Sequence, residues 1–163
     1  MLRISKLTDY GTLILTHMAG HPDRVHSATG LAEALGLGLP TVSKVLKTLG
    51  RHELVTSQRG AHGGYQLAKP STDITAYDAL VALEGTFNPM SCLANTAAEG
   101  ESCLASGSCA VQEVWSDMKF AVEDVLKKKT LAHMIERQRE SFKVPIRTYT
   151  SDSEIMQLVV LNN

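Results

Sequence analysis

The chain has 163 residues, of which 44% are hydrophobic and 20% charged, with a formal net charge of −1 at neutral pH. That length suits one domain with an extension, or two small domains, and the composition is ordinary for a folded soluble protein. No apolar run approaches the roughly 18 residues of a membrane span and no signal peptide opens the chain, so a cytoplasmic protein without a membrane partner is expected.

The near-zero charge conceals a division. Residues 1–70 carry eight Lys and Arg against four Asp and Glu, a net of +4. The remaining 93 carry eight against thirteen, a net of −5. A basic half suits attraction to phosphate.

In chain order, Leu7, Tyr10, Ile14 and Met18 recur at helical spacing, with Gly11 and Leu15 beside them. They predict a first helix from about Ser5 to Ala19, with Ser5 as N-cap. Asp9 lies off the apolar stripe near the positive end of this helix, where a carboxylate is favoured electrostatically. Gly20 to Asp23 then loops to the segment around which the chain is organised, Ser27 to Leu67.

There, Ala28, Leu31, Ala32 and Leu35 form a short apolar face. Gly36-Leu37-Gly38 can turn sharply, and Pro40 suits the first turn of a further helix. Val42, Val45, Leu46 and Leu49 form one apolar stripe, while Thr41, Ser43, Lys44 and Lys47 lie on the polar, basic side. Two short helices about a glycine turn suit a DNA-reading helix-turn-helix. Leu54 to Ser57 and Tyr65 to Ala68 are strand-like, and the intervening Gln58 to Gly64 is rich in turn formers. This predicts a hairpin wing presenting Arg59, with His62 beside it, to a minor groove or a phosphate row.

A short helix from about Thr75 to Glu84 follows, with Gly85 as C-cap. Residues 86–108 lack apolar periodicity, and a loop that long is generally functional or disordered. Val111, Trp115, Met118, Val122 and Val125 then recur in steps of four and three, a heptad seam. The seam suits a dimerisation helix, the alternative being packing on its own domain. Thr130 to Arg139 predicts one or two further helical turns, and the tail from Ser141 carries an apolar stretch at Glu154 to Leu161. The six histidines, at positions 17, 21, 26, 52, 62 and 133, read as scattered.

Cys92, Cys103 and Cys109 are spaced C-x10-C-x5-C. An odd number argues against a disulfide framework. Three thiolates supply three sites of a four-coordinate centre and suit zinc or an iron–sulfur cluster, the alternative being three free thiols.

Met1 to Tyr10 (MLRISKLTDY), Leu39 to Leu46 (LPTVSKVL) and the wing Arg59 to Tyr65 (RGAHGGY), with three late cysteines, resemble the Rrf-type winged-helix regulators. That family includes IscR-like regulators of iron–sulfur assembly and NsrR-like nitric-oxide sensors. The wing and the opening look closest to the branch regulating the SUF assembly system. The resemblance covers roughly residues 1–130 and implies a homodimer joined through the long helix, with the three cysteines holding a [2Fe–2S] or [4Fe–4S] cluster. The gap after Cys92 is longer than usual. Where the IscR-like branch places a histidine three residues after its last cysteine, this chain has Gln112. Asp9 occupies the place of the NsrR-like branch's aspartate ligand, donated from the other subunit.

The expected architecture is mainly α with a small β wing: a winged helix-turn-helix domain plus a long dimerisation helix. Residues 1–85 would bind DNA, 86–110 form the cysteine loop, 111–139 the dimerisation helix and 140–163 the tail. The expected function is a homodimeric regulator, a repressor, of a pseudo-palindromic double-stranded operator, sensing through an iron–sulfur cluster. A cluster-free repressor governed by thiol oxidation or a protein partner is the alternative. An iron–sulfur electron carrier or enzyme is a third reading, against which stands the absence of a phosphate loop or nucleophile–base pair.

Overall fold

The computed structural model describes residues 4–60, 63–88 and 110–141. Among them are helices α1 (Lys6–Ala19), α2 (Ala28–Leu35), α3 (Leu39–Arg51), α4 (Ala76–Glu84), α5 (Ala110–Lys127) and α6 (Leu131–Ser141). Strands β1 (Val55–Gln58) and β2 (Gly64–Leu67) lie between α3 and α4. The architecture is the expected one, mainly helical with a two-stranded wing. Cys92, Cys103, Cys109, His62 and the tail from residue 142 lie outside the described residues.

Local chemistry sets the helix ends. Ser5 caps α1, its side chain accepting from the Thr8 N–H, and Ser27 caps α2 by accepting from the Gly30 N–H at 3.0 Å. Gly36 ends α2 at φ +63°, a left-handed conformation that favours glycine, and the Leu37 N–H turns back to the Ala32 carbonyl at 2.9 Å. Pro40 stands in the first turn of α3, where no intrahelical donor is needed. Thr75 and Asp78 form a reciprocal capping box at the start of α4.

The α3 stripe of Val42, Val45, Leu46 and Leu49 is wholly buried against Ile14, Leu15 and Met18 of α1 and Leu31 of α2 in one cluster. Full burial of each such side chain contributes about 1.5–3 kcal/mol, which fixes how α3 faces outward with its other side. The hairpin is antiparallel, Val55 opposite Leu67 and Gln58 opposite Gly64. Its buried root, Leu54 and Val55, sits over this core.

Two isolated bridges complete the frame. His26 pairs with Tyr65, N–H to carbonyl at 2.9 and 2.8 Å, which ties the wing to the start of α2. Gly64 is needed beside that bridge, because a Cβ there would stand 2.5 Å from the His26 carbonyl oxygen. Thr75 pairs with Thr130, which ties the start of α4 to the start of α6. The last helix runs for 11 residues rather than one or two turns. Leu131 is fully buried and Met134 and Ile135 pack on the same core, so α6 is held by burial that a short periodicity window does not show.

Candidate nucleic-acid interface

Because α3 buries its apolar stripe, Ser43, Lys44 and Lys47 are exposed on the opposite side, with Thr41 half-buried in the first turn. The Thr41 N–H bonds to the Gly38 carbonyl at 2.9 Å. Arg59 and Gly60 stand exposed at the hairpin tip, and the Gly63 N–H closes that turn onto the Gly60 carbonyl at 3.0 Å. Lys119 and Lys127 pair with Glu123 on α5, and Lys128 just after it pairs with Asp124, whereas Lys44, Lys47 and Arg59 have no described carboxylate within ion-pair distance. Lys44, Lys47 and Arg59 therefore carry charge that no described carboxylate neutralises.

Asp9 is exposed and lines a groove of about 870 Å³ shared by α1, α4, α5 and α6. Glu84, Phe87, Asn88, Trp115 and Met118 line the same groove. Glu84 accepts from the Ser5 N–H at 2.9 Å and from the Thr8 hydroxyl. The hydrogen bonds of Ser5 and Thr8 hold its carboxyl below the usual range, against a smaller opposing effect of burial. Asn88 is the last described residue before the segment holding Cys92, and its side chain accepts from Lys119 of α5 at 2.9 Å. No group of three or more His, Cys, Asp or Glu is assembled for a metal among the described residues.

The five seam positions of α5 do not share one environment. Trp115, Met118 and Val122 line the groove, whereas Val111 and Val125 are each 55% exposed. Val114 and Phe120 are also exposed, at 65% and 64%. Beside the groove, Glu123 is buried between Lys119 and Lys127, and the Lys127 ammonium lies 4.5 Å from the centre of the Tyr77 ring of α4. Val111, Val114, Phe120 and Val125 of α5 are thus left uncovered among the described residues.

The histidines are not all scattered, which corrects the expectation from sequence. His17, His21 and His26 gather at the end of α1, with ring centres 5.3, 5.7 and 6.3 Å apart. The i, i+4 spacing of the first two is the one signal the sequence carries. His26 joins them because the loop of residues 20–25 turns back onto α1.

A buried helix pair, an outward basic helix and a wing define a winged-helix DNA-binding regulator of transcription. The chain belongs to the Rrf2 family, whose description is "Iron-dependent Transcriptional regulator" and whose pattern matches residues 4–137. It is 29% identical over 135 residues to Protein rrf2 of Nitratidesulfovibrio vulgaris, covering 82% of this chain and 87% of that one. Its fold is similar to that of CymR (YrzC), the global cysteine regulator of B. subtilis, with a TM-score of 0.67 and 29% identity. That match covers 84% of this chain and 98% of CymR. T. potens IscR is similar to the same degree, TM-score 0.67 and 29% identity over 86% of this chain and 90% of that one. These relatives are regulators, and this chain is not an enzyme. No described helix is long and apolar enough to cross a membrane.

Proposed function

We propose that the chain is a homodimeric repressor of a pseudo-palindromic operator whose DNA affinity is set by an iron–sulfur cluster on Cys92, Cys103 and Cys109. The observation that carries the DNA part is the unneutralised basic face of α3 together with Arg59 on the wing. Thr41, Ser43, Lys44 and Lys47 would enter the major groove, and Arg59 with His62 would hold the flanking backbone or minor groove. The uncovered apolar surface of α5 supports dimerisation, which would set two recognition helices at a half-site spacing. The expected operation is cytoplasmic.

The donor set fits the cofactor: three thiolates are the ligands iron–sulfur clusters use. The cluster when bound supplies a redox- and ligand-sensitive charge. The chain's own part is to keep a fourth donor near. Asp9 is exposed in the groove that α5 lines, and we assign it the fourth position, reached from the other subunit. Because α1 packs on α3, ligation through Asp9 would link cluster state to the attitude of the recognition helix.

The likeness to CymR favours one second reading, a cluster-free regulator acting through the same thiols. Purification without oxygen, followed by visible absorption, iron and sulfide assay and operator binding, separates them. Iron and sulfide in stoichiometric amounts with broad visible bands supports the cluster; colourless protein that binds the operator according to thiol oxidation supports the second reading.

A further inference from the structure

Besides the packing of Tyr65 and Leu67 on the core, the second wing strand is tied to the start of α2 by the His26–Tyr65 bridge. The Tyr65 N–H donates to the His26 carbonyl at 2.8 Å, and the His26 N–H to the Tyr65 carbonyl at 2.9 Å. His26 is 5% exposed, and its ring closes over the C-terminal end of α1 against His17 and His21. Its Nε2 lies 3.4 Å from the His21 carbonyl, a contact that requires the proton of the neutral ring on Nε2. A second proton must then enter at Nδ1.

The surroundings oppose that proton. The cluster lines a cavity of about 510 Å³ between α1, the following loop, α2 and Gly63 of the wing. The titratable or charged groups facing it are His17 from α1 and His21, Arg24 and His26 from the loop. Ser27, Gly30, Leu31 and Ala34 around α2, and Gly63 of the wing, add no charge, and no carboxylate lines the cavity among the described residues. We propose that His17 and His26, packed together with His21, form a proton-operated latch: neutral, the two hold the wing through the His26–Tyr65 bridge, and protonated, they release it.

Burial is the main cause that holds His17 and His26 below the ordinary histidine value of 6.5, with neighbouring His and Arg24 charges adding to it. For His26 the hydrogen bond to the His21 carbonyl opposes that depression in part. Groups whose folded value is depressed stay neutral at pH 7 and favour the latched form, and that preference is lost as pH falls from about 6.5 through the lower folded values. Opening the bridge lets the rings reach water and separates them from Arg24. Phosphate on nearby DNA would instead favour protonation, so the two effects have opposite signs in a binding experiment.

The latch rests on the DNA-binding reading only for its consequence. Amide exchange of the DNA-free protein therefore tests it first. After correction for the intrinsic pH dependence of exchange, Tyr65 should lose protection between pH 7.5 and 5.5, as expected when the latched form binds a histidine proton more weakly than the open form. The Ala68 amide, bonded to Leu54 at the other end of the hairpin at 3.0 Å, should keep its protection. His17→Gln and His21→Gln each leave the bridge intact and should reduce the pH effect. Operator affinity at fixed salt should fall over the same range in the wild type and less in these variants. Unchanged protection of Tyr65 across this range overturns the latch, as does affinity that rises on acidification and loses that rise in the histidine variants. Absence of operator binding at pH 7.5 would sink the proposed function while the exchange measurement still decides the latch.

Discussion

The Ser5 backbone N–H donates to the Glu84 carboxylate at 2.9 Å, although 79 positions separate the two residues. The bond joins the N-terminus of α1 to the last residue of α4, beside Asp9 in the same groove. Glu84 thereby acts as an N-terminal cap supplied from a distance, favoured by the positive end of α1.

Glu84→Ala should lower unfolding free energy at pH 7 by about 0.5–1 kcal/mol, the lower part of the cap range because the carboxylate is exposed. The carboxyl value lies below its ordinary 4.5, so the contribution is present above pH 4.5 and fades as pH falls through the lower folded value. Urea midpoints should therefore differ between wild type and variant at pH 7 and converge toward pH 3. A gap that widens at acid pH would contradict this assignment.

For DNA contact, Lys44→Ala and Arg59→Ala should each weaken operator binding at fixed salt. A side chain that reads a base should cost about 1–3 kcal/mol and relax sequence preference, whereas a phosphate contact should weaken all sequences alike and flatten the salt dependence. Titration of operator and scrambled duplexes at several salt concentrations distinguishes the two. Normal binding by both variants would remove the docking arrangement.

Assembly should depend on Met118, which lies on α5 between the exposed Val111, Val114 and Val125. Met118→Glu places a charge on the apolar surface and should convert a dimer to monomer in sedimentation at micromolar concentration. A wild-type monomer under those conditions would exclude the proposed assembly.

Asp9→Ala removes an exposed carboxylate that has no part in the core. The dimer should stay folded while cluster absorption, cluster lifetime and operator affinity change together. An unchanged spectrum and lifetime would leave Asp9 as a charge at a helix terminus and direct attention to Gln112 or Glu113.

Much of the fold is legible in the sequence because it depends on short-range periodicity. Val42, Val45, Leu46 and Leu49 specify which side of α3 is buried, and with it the outward side of Ser43, Lys44 and Lys47. Ser5, Gly36, Thr75 and Gly85 mark helix ends by local hydrogen bonding and backbone geometry. The Ser5–Glu84 bond and the His26–Tyr65 bridge are not legible, since each joins elements whose approach is set by the whole core. The gathering of three histidines escapes a sequence reading for the same reason: His26 reaches α1 only through the return of the loop. The seam of α5 reads as one stripe in sequence, but the neighbouring helices reach only its middle, so Trp115, Met118 and Val122 line the groove while Val111 and Val125 are exposed. The cysteines are legible as donors by type and lie outside the described residues.

The Thr75–Thr130 bridge has a mechanical consequence. The Lys129 carbonyl accepts from the Ala76 N–H at 2.7 Å and the Leu131 N–H bonds to the Ile74 carbonyl at 2.9 Å, so the chain is clamped to the core immediately after α5. The other end of α5, at Ala110, adjoins Cys109. An 18-residue helix at 1.5 Å per residue is about 27 Å long, so a tilt of roughly 5° about the clamped end carries Ala110 by about 2 Å. The helix would act as a lever with its fulcrum at Thr130 and its long arm at Ala110. A displacement at Ala110 would thus be geared down toward the core, while Trp115 and Met118 would sweep intermediate distances across the groove that holds Asp9.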